Sequence, residues 1–374
     1  MHVALLTDVA LPYVSGVTVA VRRQRDALRE AGCMVTVVGP HGDVDIAEAD
    51  VHVPGAPDGH RLALFGPRLP LKLRSLHVEL LHAHSVFGAS WAALAAARTL
   101  HLPFVVTIHT RFDEYVHYAG LAAPLARTLI GPYTGAVVAA ADLTIAPNEE
   151  LAQELRAAGG AGAVRVVPAP FDPALLAGDA ARGRARLEVG ADVPLLLSAS
   201  RLALEKRVID LVELLRAVSR QDSVLVFAGS GPQEAELRAA ADHAGVGSRV
   251  RFAGRLGISG LADAFAAADV VVSASRSETQ GLALCEAAAA GRIVVAPHRG
   301  GYAEVLGDGV GGLFPSPAPT AADLASCVDR VLDDRAVAQR LGTEAAHRAA
   351  AAWSPAVVAT ALRDAYAAAA RVPE

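Results

Sequence analysis

The sequence predicts an α/β protein made of two doubly wound domains, each built on a parallel sheet. Short apolar runs alternate with amphipathic helical patterns along the chain, the pattern of repeated strand-helix-strand units. That alternation halts in an Ala-, Gly- and Arg-rich stretch and then restarts, which divides the chain at a linker over 171–190. At 374 residues the chain is long for one core and comfortable for two.

Taken in order, residues 3–7 form the first apolar run, 17–28 carry a helical pattern ending at Gly32, and 35–38 form the next strand. The first strand-to-helix loop holds Gly16 and lacks the G-x-G-x-x-G fingerprint, which argues against a dinucleotide site. Gly16 still sits just before a helix N-terminus, where phosphates or an acceptor approach. Asp43 and Asp45 invite a Mg²⁺ reading, but they lie in a generally acidic loop with Glu48 and Asp50, and no metal is expected.

From 60 to 78 there is no acidic residue, and Arg61, Arg68, Lys72 and Arg74 alternate with leucines. Two readings stay open there: a solvated basic face, or a segment that rests on anionic lipid. Residues 80–84 are the next strand and its exit at His84, 87–100 a helix, and 104–108 a strand that delivers His109 into the expected ligand crevice. Residues 143–146 form another strand, Asn148 caps the helix after it, and 164–167 close the first half.

The second half repeats the alternation. The strand at 195–198 leads into Arg201 and Lys206, two cations placed to suit a diphosphate that gains charge as it leaves. Residues 224–227 form a strand that ends in the turn Gly229-Ser230-Gly231-Pro232. The run 270–273 reads as a buried parallel strand, followed by Glu278 in a turn and a helix that ends at Gly291. Gln280, Gly281 and Leu282 supply that helix's first amides, which favour an anion, and Glu286 follows one to two turns later. Two isolated glutamates are ordinarily solvated; the strand, turn, glycine and helix around these point to a ligand site. A last helix starts at Pro355 and runs to about Ala370.

Composition bounds the function. The net charge of −5, from 34 basic and 39 acidic residues, gives no general attraction to nucleic acid. No apolar stretch reaches the roughly 18 residues of a spanning helix. The N-terminus has no signal-peptide pattern and already reads as a strand, so a cytoplasmic location is expected. Cys33, Cys285 and Cys327 are too scattered for a disulfide or zinc framework.

The stretch 277–291, S-E-T-Q-G-L-A-L-C-E-A-A-A-A-G, resembles the donor-site signature of the retaining glycosyltransferases of family 4. Other segments resemble the same family in the same order. H-T-R-F-D-E-Y-V-H-Y, starting at His109, is similar to a segment of its glycolipid-making members, and His84 occupies the place of a second recurrent histidine. R-L-A-L-E-K, 201–206, is similar to its G-R-L-x-x-E-K element, and 249–256 to the strand and loop that face the nucleotide base.

The resemblance implies a GT-B fold, two Rossmann-like domains facing across a cleft. Residues 1–170 would take the acceptor and 191–352 the donor, with 353–374 crossing back to the first domain. It implies transfer of a hexose from UDP-glucose or GDP-mannose, with retention, to an acceptor hydroxyl of a lipid or glycan. The nucleotide-diphospho-sugar is a co-substrate, and neither cofactor nor metal is implied. Arg201, Lys206 and the amides near Gly281 would stabilise the departing diphosphate. Glu286 would hold the ribose, Glu278 the sugar hydroxyls, and His109 the sugar from the first-domain side. Gly16, Gly229, Leu256, Gln280 and Leu282 would complete the donor site. Peripheral contact with an anionic membrane goes with a lipid acceptor.

Ser15, Pro170 and Ser200 stand where that family usually has glycine. They favour an alternative, a catalytically silent nucleotide-sugar-binding partner of another transferase. A GT-B epimerase or phosphorylase is a further alternative. A phosphorylase would need a lysine for pyridoxal phosphate, and Lys72 and Lys206, the chain's only lysines, lie in no evident cofactor motif.

Overall fold

The computed structural model describes residues 1–52, 61–111, 123–159 and 163–371. His60 and the part of the His109 segment that runs from 112 to 118 lie outside the described residues. The chain divides into two compact units, Met1–Pro170 with Pro355–Glu374, and Phe171–Ser354.

The first unit carries β1 (His2–Leu6), β2 (Met34–Gly39), β3 (Ile46–Ala47), β4 (Ala49–His52), β5 (Arg61–Leu64), β6 (Leu80–Ala83), β7 (Phe104–Thr107), β8 (Leu143–Ala146) and β9 (Val164–Val166). Seven of these form a sheet in the order β3-β2-β1-β6-β7-β8-β9. Its paired strands run parallel, with Leu5 between Val37 and His82. The order reverses between β1 and β6, so the carboxyl ends of these two strands open the crevice where such sheets take ligands.

β1 and β6 are buried at every position, as sheets covered on both faces require. The helix Gly16–Glu30 starts at a capping box in which the Ser15 side chain accepts from the Thr18 amide and the Thr18 hydroxyl takes the Ser15 amide. The terminal helix Pro355–Ala369 buries Val358, Leu362, Ala365 and Tyr366 in one cluster with Val3, Leu5, Val21 and Leu28. Tyr366 Oη lies 2.8 Å from His82 Nδ1, which ties that helix to β6.

The described part of the segment 60–78 has secondary structure that its charge pattern did not announce. Part of it is β5, which pairs antiparallel with β4, and part is the helix Leu69–Ser75 with Leu69 and Leu73 buried. The pairing carries Arg61 to Asp50, and Lys72 Nζ bonds Glu48 Oε1 at 2.6 Å. Two of the four cations therefore have carboxylate partners. Arg68 and Arg74 remain exposed, with Leu64 and Leu71 51% and 66% exposed. Asp43 and Asp45 hold Arg25 at 2.8 Å and Arg29 at 2.7 Å, which fastens their loop to the first helix.

The second unit carries β10 (Leu195–Ala199), β11 (Val224–Ala228), β12 (Val250–Phe252), β13 (Val270–Val272), β14 (Ile293–Val295) and β15 (Gly312–Leu313). They form a second parallel sheet in the order β12-β11-β10-β13-β14-β15, which reverses between β10 and β13.

Residues 171–190 pack as part of this unit rather than lying apart as a linker. Phe171, Leu175, Leu187 and Val189 enter its core. Gly178 and Gly183 lie so close to the helix Ile258–Ala267 that a Cβ would fall 2.0 Å from the Ala262 carbonyl oxygen and 2.1 Å from that of Asp263. These glycines are there for close packing, not for flexibility. Among the described residues no helix is long and apolar enough to cross a membrane.

Candidate active site

The reversal between β10 and β13 sets the site in the second unit. The chain leaves β10 into Ser200 and Arg201, then forms a single 3-10 turn, Leu204–Lys206. Arg207, with φ 51°, turns the chain sharply after Lys206 and pairs with Asp210. The chain leaves β13 into Ser273–Gly281, and the helix Leu282–Ala289 follows. Both loops lie at the carboxyl ends of adjacent strands, and their polar side chains meet there. Lys206 Nζ and Glu278 Oε1 are 2.6 Å apart, their side chains only 18% and 16% exposed. Arg201 Nη2 reaches Glu205 Oε1 at 2.5 Å. Ser277 Oγ donates to the Glu205 carbonyl oxygen at 3.1 Å and joins the two loops. Arg201 and Lys206 are thus each held by a carboxylate at these strand ends.

Gly281 shapes the turn before the helix. Its backbone is left-handed, φ 76° and ψ 58°, and a Cβ there would lie 2.6 Å from Tyr302 Cδ1. Tyr302 is fully buried, and its hydroxyl donates to the Pro297 carbonyl oxygen at 2.5 Å. Burial raises the Tyr302 phenol well above its ordinary pKa, so the hydroxyl stays a donor. The Gly301 and Tyr302 amides donate to the carbonyls of Thr279 and Gln280, which locks the turn from the far side. The first turn of this helix presents the positive end of its dipole at the Gly281 turn, with the Leu284 amide donating to the Gly281 carbonyl at 2.9 Å.

Glu286 is buried on that helix. Gln280 is buried beside Cys285, whose thiol donates to the Gln280 carbonyl at 3.5 Å. Leu282, next to Gly281, is half-buried at the helix start. Gly229 lies against the β10 exit, where a Cβ would fall 1.8 Å from the Ser200 carbonyl oxygen. Leu256 stands apart from this group: it follows β12 at the edge of the sheet and packs on the core.

Gly16 and His109 belong to the first unit. Gly16 opens its helix, and a Cβ there would meet nothing within 4 Å. His109 follows β7, with its Nε2 3.0 Å from His84 Nδ1. The His84 ring in turn lies 4.1 Å from that of His82. Burial holds all three rings neutral, with His82 lowered to about 3, His109 to about 4 and His84 well below the ordinary value. Asp8, at the exit of β1, accepts from Ser85 Oγ and from the Ala89 amide, and burial raises its pKa.

Sequence reasoning gave no site role to Ser277, Tyr302 or Asp8, and saw Glu205 only as the partner of a surface Arg201 and Lys206; the structure does pair it with Arg201. Glu205 stands four residues after Arg201, and Asp8 is the first charged residue after β1. A site role for both could have been found from the strand ends. Nothing local in Gly300-Gly301-Tyr302 announces its packing on Gly281.

None of the three substituted glycine positions is strained. Ser15 is extended with φ −140°, and neither Pro170 nor Ser200 has a positive φ.

Comparison with known proteins gives the family. The family profile "Glycosyl transferases group 1" matches residues 181–348, and "Glycosyltransferase Family 4" matches residues 14–175. A glycogen synthase of Mycobacterium tuberculosis is 31% identical over 320 residues, 84% of this chain and 75% of the relative. The chain belongs to glycosyltransferase family 4.

Another relative, the alpha-monoglucosyldiacylglycerol synthase of Acholeplasma laidlawii, is 26% identical over 336 residues, 84% of each chain. Anabaena HepE, solved in complex with UDP-glucose, matches 98% of this chain and 99% of its own, with a TM-score of 0.76 and 19% identity. At that identity the likeness speaks to the fold, and the fold of this family 4 protein is GT-B.

Proposed function

We propose that the protein is a retaining hexosyltransferase that uses a nucleotide-diphospho-sugar, UDP-glucose or GDP-mannose, and acts on a lipid hydroxyl. The observation that carries this reading is the pair of ion pairs at the reversal of the second sheet, Lys206 with Glu278 and Arg201 with Glu205, on the two loops that Ser277 joins ahead of the turn at Gly281. A departing diphosphate gains negative charge, and two oriented cations and a helix N-terminus are what such charge needs.

In this reading Arg201 and Lys206 take the diphosphate, and Lys206 keeps Glu278 in place through one of its three donors. Glu278 accepts from sugar hydroxyls, and buried Glu286 accepts from the ribose. His109, a neutral ring, contacts the sugar. Gly16, Gly229, Gln280 and Leu282 line the donor, and Leu256, set apart after β12, faces the nucleotide base. The bond from the anomeric carbon to the phosphate oxygen breaks as the acceptor oxygen bonds the same face, and the acceptor proton passes to the phosphate. No protein carboxylate need act as the nucleophile, and the cations and amides take the charge in place of a metal.

The lipid acceptor rests on the name of the Acholeplasma laidlawii relative. Exposed Arg68, Arg74, Leu64 and Leu71 provide a face for peripheral contact with an anionic leaflet.

The test is release of nucleoside diphosphate from UDP-, GDP- and ADP-sugars in the presence of EDTA, with diacylglycerol or glycolipid in mixed micelles as acceptor. Turnover of one donor supports the reading. Binding without turnover makes the protein a silent partner, and turnover only with added Mg²⁺ or Mn²⁺ overturns metal independence.

A further inference from the structure

The buried histidine pair in the first unit carries a consequence for how His109 meets its ligand. His84 is fully buried at the exit of β6, where its backbone amide donates to the Leu6 carbonyl at 2.9 Å. Its Nδ1 lies 3.0 Å from His109 Nε2, while its Nε2 is buried with no hydrogen-bond partner. His82 has no ring nitrogen to offer it: Nδ1 is engaged by Tyr366 and Nε2 by Thr107 Oγ1 at 2.6 Å.

Only one proton serves the contact between His84 and His109, and two arrangements are open. If His109 donated through Nε2–H, the single proton of neutral His84 would sit on Nε2 as a buried N–H with no acceptor. If His84 donates through Nδ1–H, its Nε2 is a bare lone pair. A buried orphan donor is the rarer and costlier of the two. The geometry points to His84 as a positioning residue that donates Nδ1–H to His109 Nε2 and so fixes the proton of neutral His109 on Nδ1. Burial keeps both rings neutral, so neither supplies a second proton.

The consequence for function rests on the transferase reading above. With Nε2 occupied as an acceptor, the ring proton of neutral His109 sits on Nδ1, in one tautomer rather than a mixture, and a sugar hydroxyl that meets this nitrogen meets it as an acceptor. His84 touches no substrate in this account; it acts only through His109.

The experiment reads the tautomer directly. Long-range ¹H–¹⁵N correlation spectra of ¹⁵N-histidine protein separate protonated from bare ring nitrogens, with His109 assigned by loss of its signals in His109→Gln. Wild type should show His109 with a bare Nε2 and a protonated Nδ1. His84→Asn keeps an N–H near the same place and should preserve that pattern, whereas His84→Leu should yield a tautomer mixture. In parallel, His84→Leu should lower kcat/KM for the donor about tenfold or more, as misplacement of a reacting group does, and His84→Asn should recover most of it.

A protonated His109 Nε2 in wild type, or an unchanged tautomer in His84→Leu, overturns the inference. The wild-type spectrum decides even if the leucine variant fails to fold. Absence of any transferase turnover would strike the functional reading while the spectrum still judged the tautomer.

Discussion

Replacing Gly281 by alanine should disrupt the turn that presents the helix amides, and the size of the effect follows from two separate costs. The backbone at this position is left-handed, φ 76°, which costs an L-residue about 1–2 kcal/mol. The new Cβ would also sit 2.6 Å from Tyr302 Cδ1, well inside ordinary contact. Tyr302 cannot retreat easily: it is fully buried, its hydroxyl is fixed on the Pro297 carbonyl, and its ring meets that of Phe314 at 5.5 Å. Overpacking of this kind costs about 1–3 kcal/mol. Together they come to about 2–5 kcal/mol, which for a unit of this size lowers Tm by roughly 4–20 °C. Thermal unfolding followed by circular dichroism, with calorimetric titration of UDP and GDP, measures both consequences. Gly281→Ala should unfold earlier and bind the nucleotide more weakly. A variant with wild-type Tm and wild-type nucleotide affinity would refute the account of this turn.

Two further outcomes follow from the first unit. His82 and His84 are fully buried and held neutral, whereas in the unfolded chain they take up a proton below about pH 6.5. The folded state then binds fewer protons than the unfolded one, so acid favours unfolding. Each ring should remove up to about 1.4 kcal/mol of stability per pH unit as pH falls from about 6.5 toward its lowered folded value. Thermal unfolding should therefore show a clear loss of Tm between pH 7.5 and 5.5, and an unchanged Tm would contradict the neutral cluster. Gly16→Ala adds a Cβ that meets nothing, so Tm should hold. A fall in kcat/KM without a fall in Tm would show that a ligand approaches that helix start, and unchanged kinetics would remove Gly16 from the site.

The fold was legible because both sheets are parallel and covered on both faces. Val3–Leu6 and Leu195–Leu197 are continuous apolar runs with no exposed face to interrupt them. Strand ends then pointed to the two loops that hold Arg201, Lys206 and Glu278, and the structure pairs Lys206 with Glu278 across them. What escaped the sequence was decided at long range. Gly178 and Gly183 have the composition of a flexible connection, and only the helix they press against gives them another purpose. The basic look of Arg61 and Lys72 disappears once Asp50 and Glu48 are folded against them. The histidine cluster was half legible: His82 and His84 are two apart, as residues on one strand face are, but their link to His109 depends on the neighbouring strand.

The central claim is that the β10 and β13 exits hold a diphosphate that leaves, and Lys206 tests it most directly. Removal of Lys206 also leaves Glu278 without the ammonium it bonds, so Lys206→Ala should be read beside Lys206→Arg, which keeps the charge. The measurement is kcat for nucleoside diphosphate release together with the Kd of the intact nucleotide-sugar. Charge that matters mainly in the transition state appears in the rate, so Lys206→Ala should lose on the order of 10²-fold in kcat with a much smaller change in Kd. Lys206→Arg should fall between the two. A Lys206→Ala protein that released the diphosphate at the wild-type rate would contradict the account.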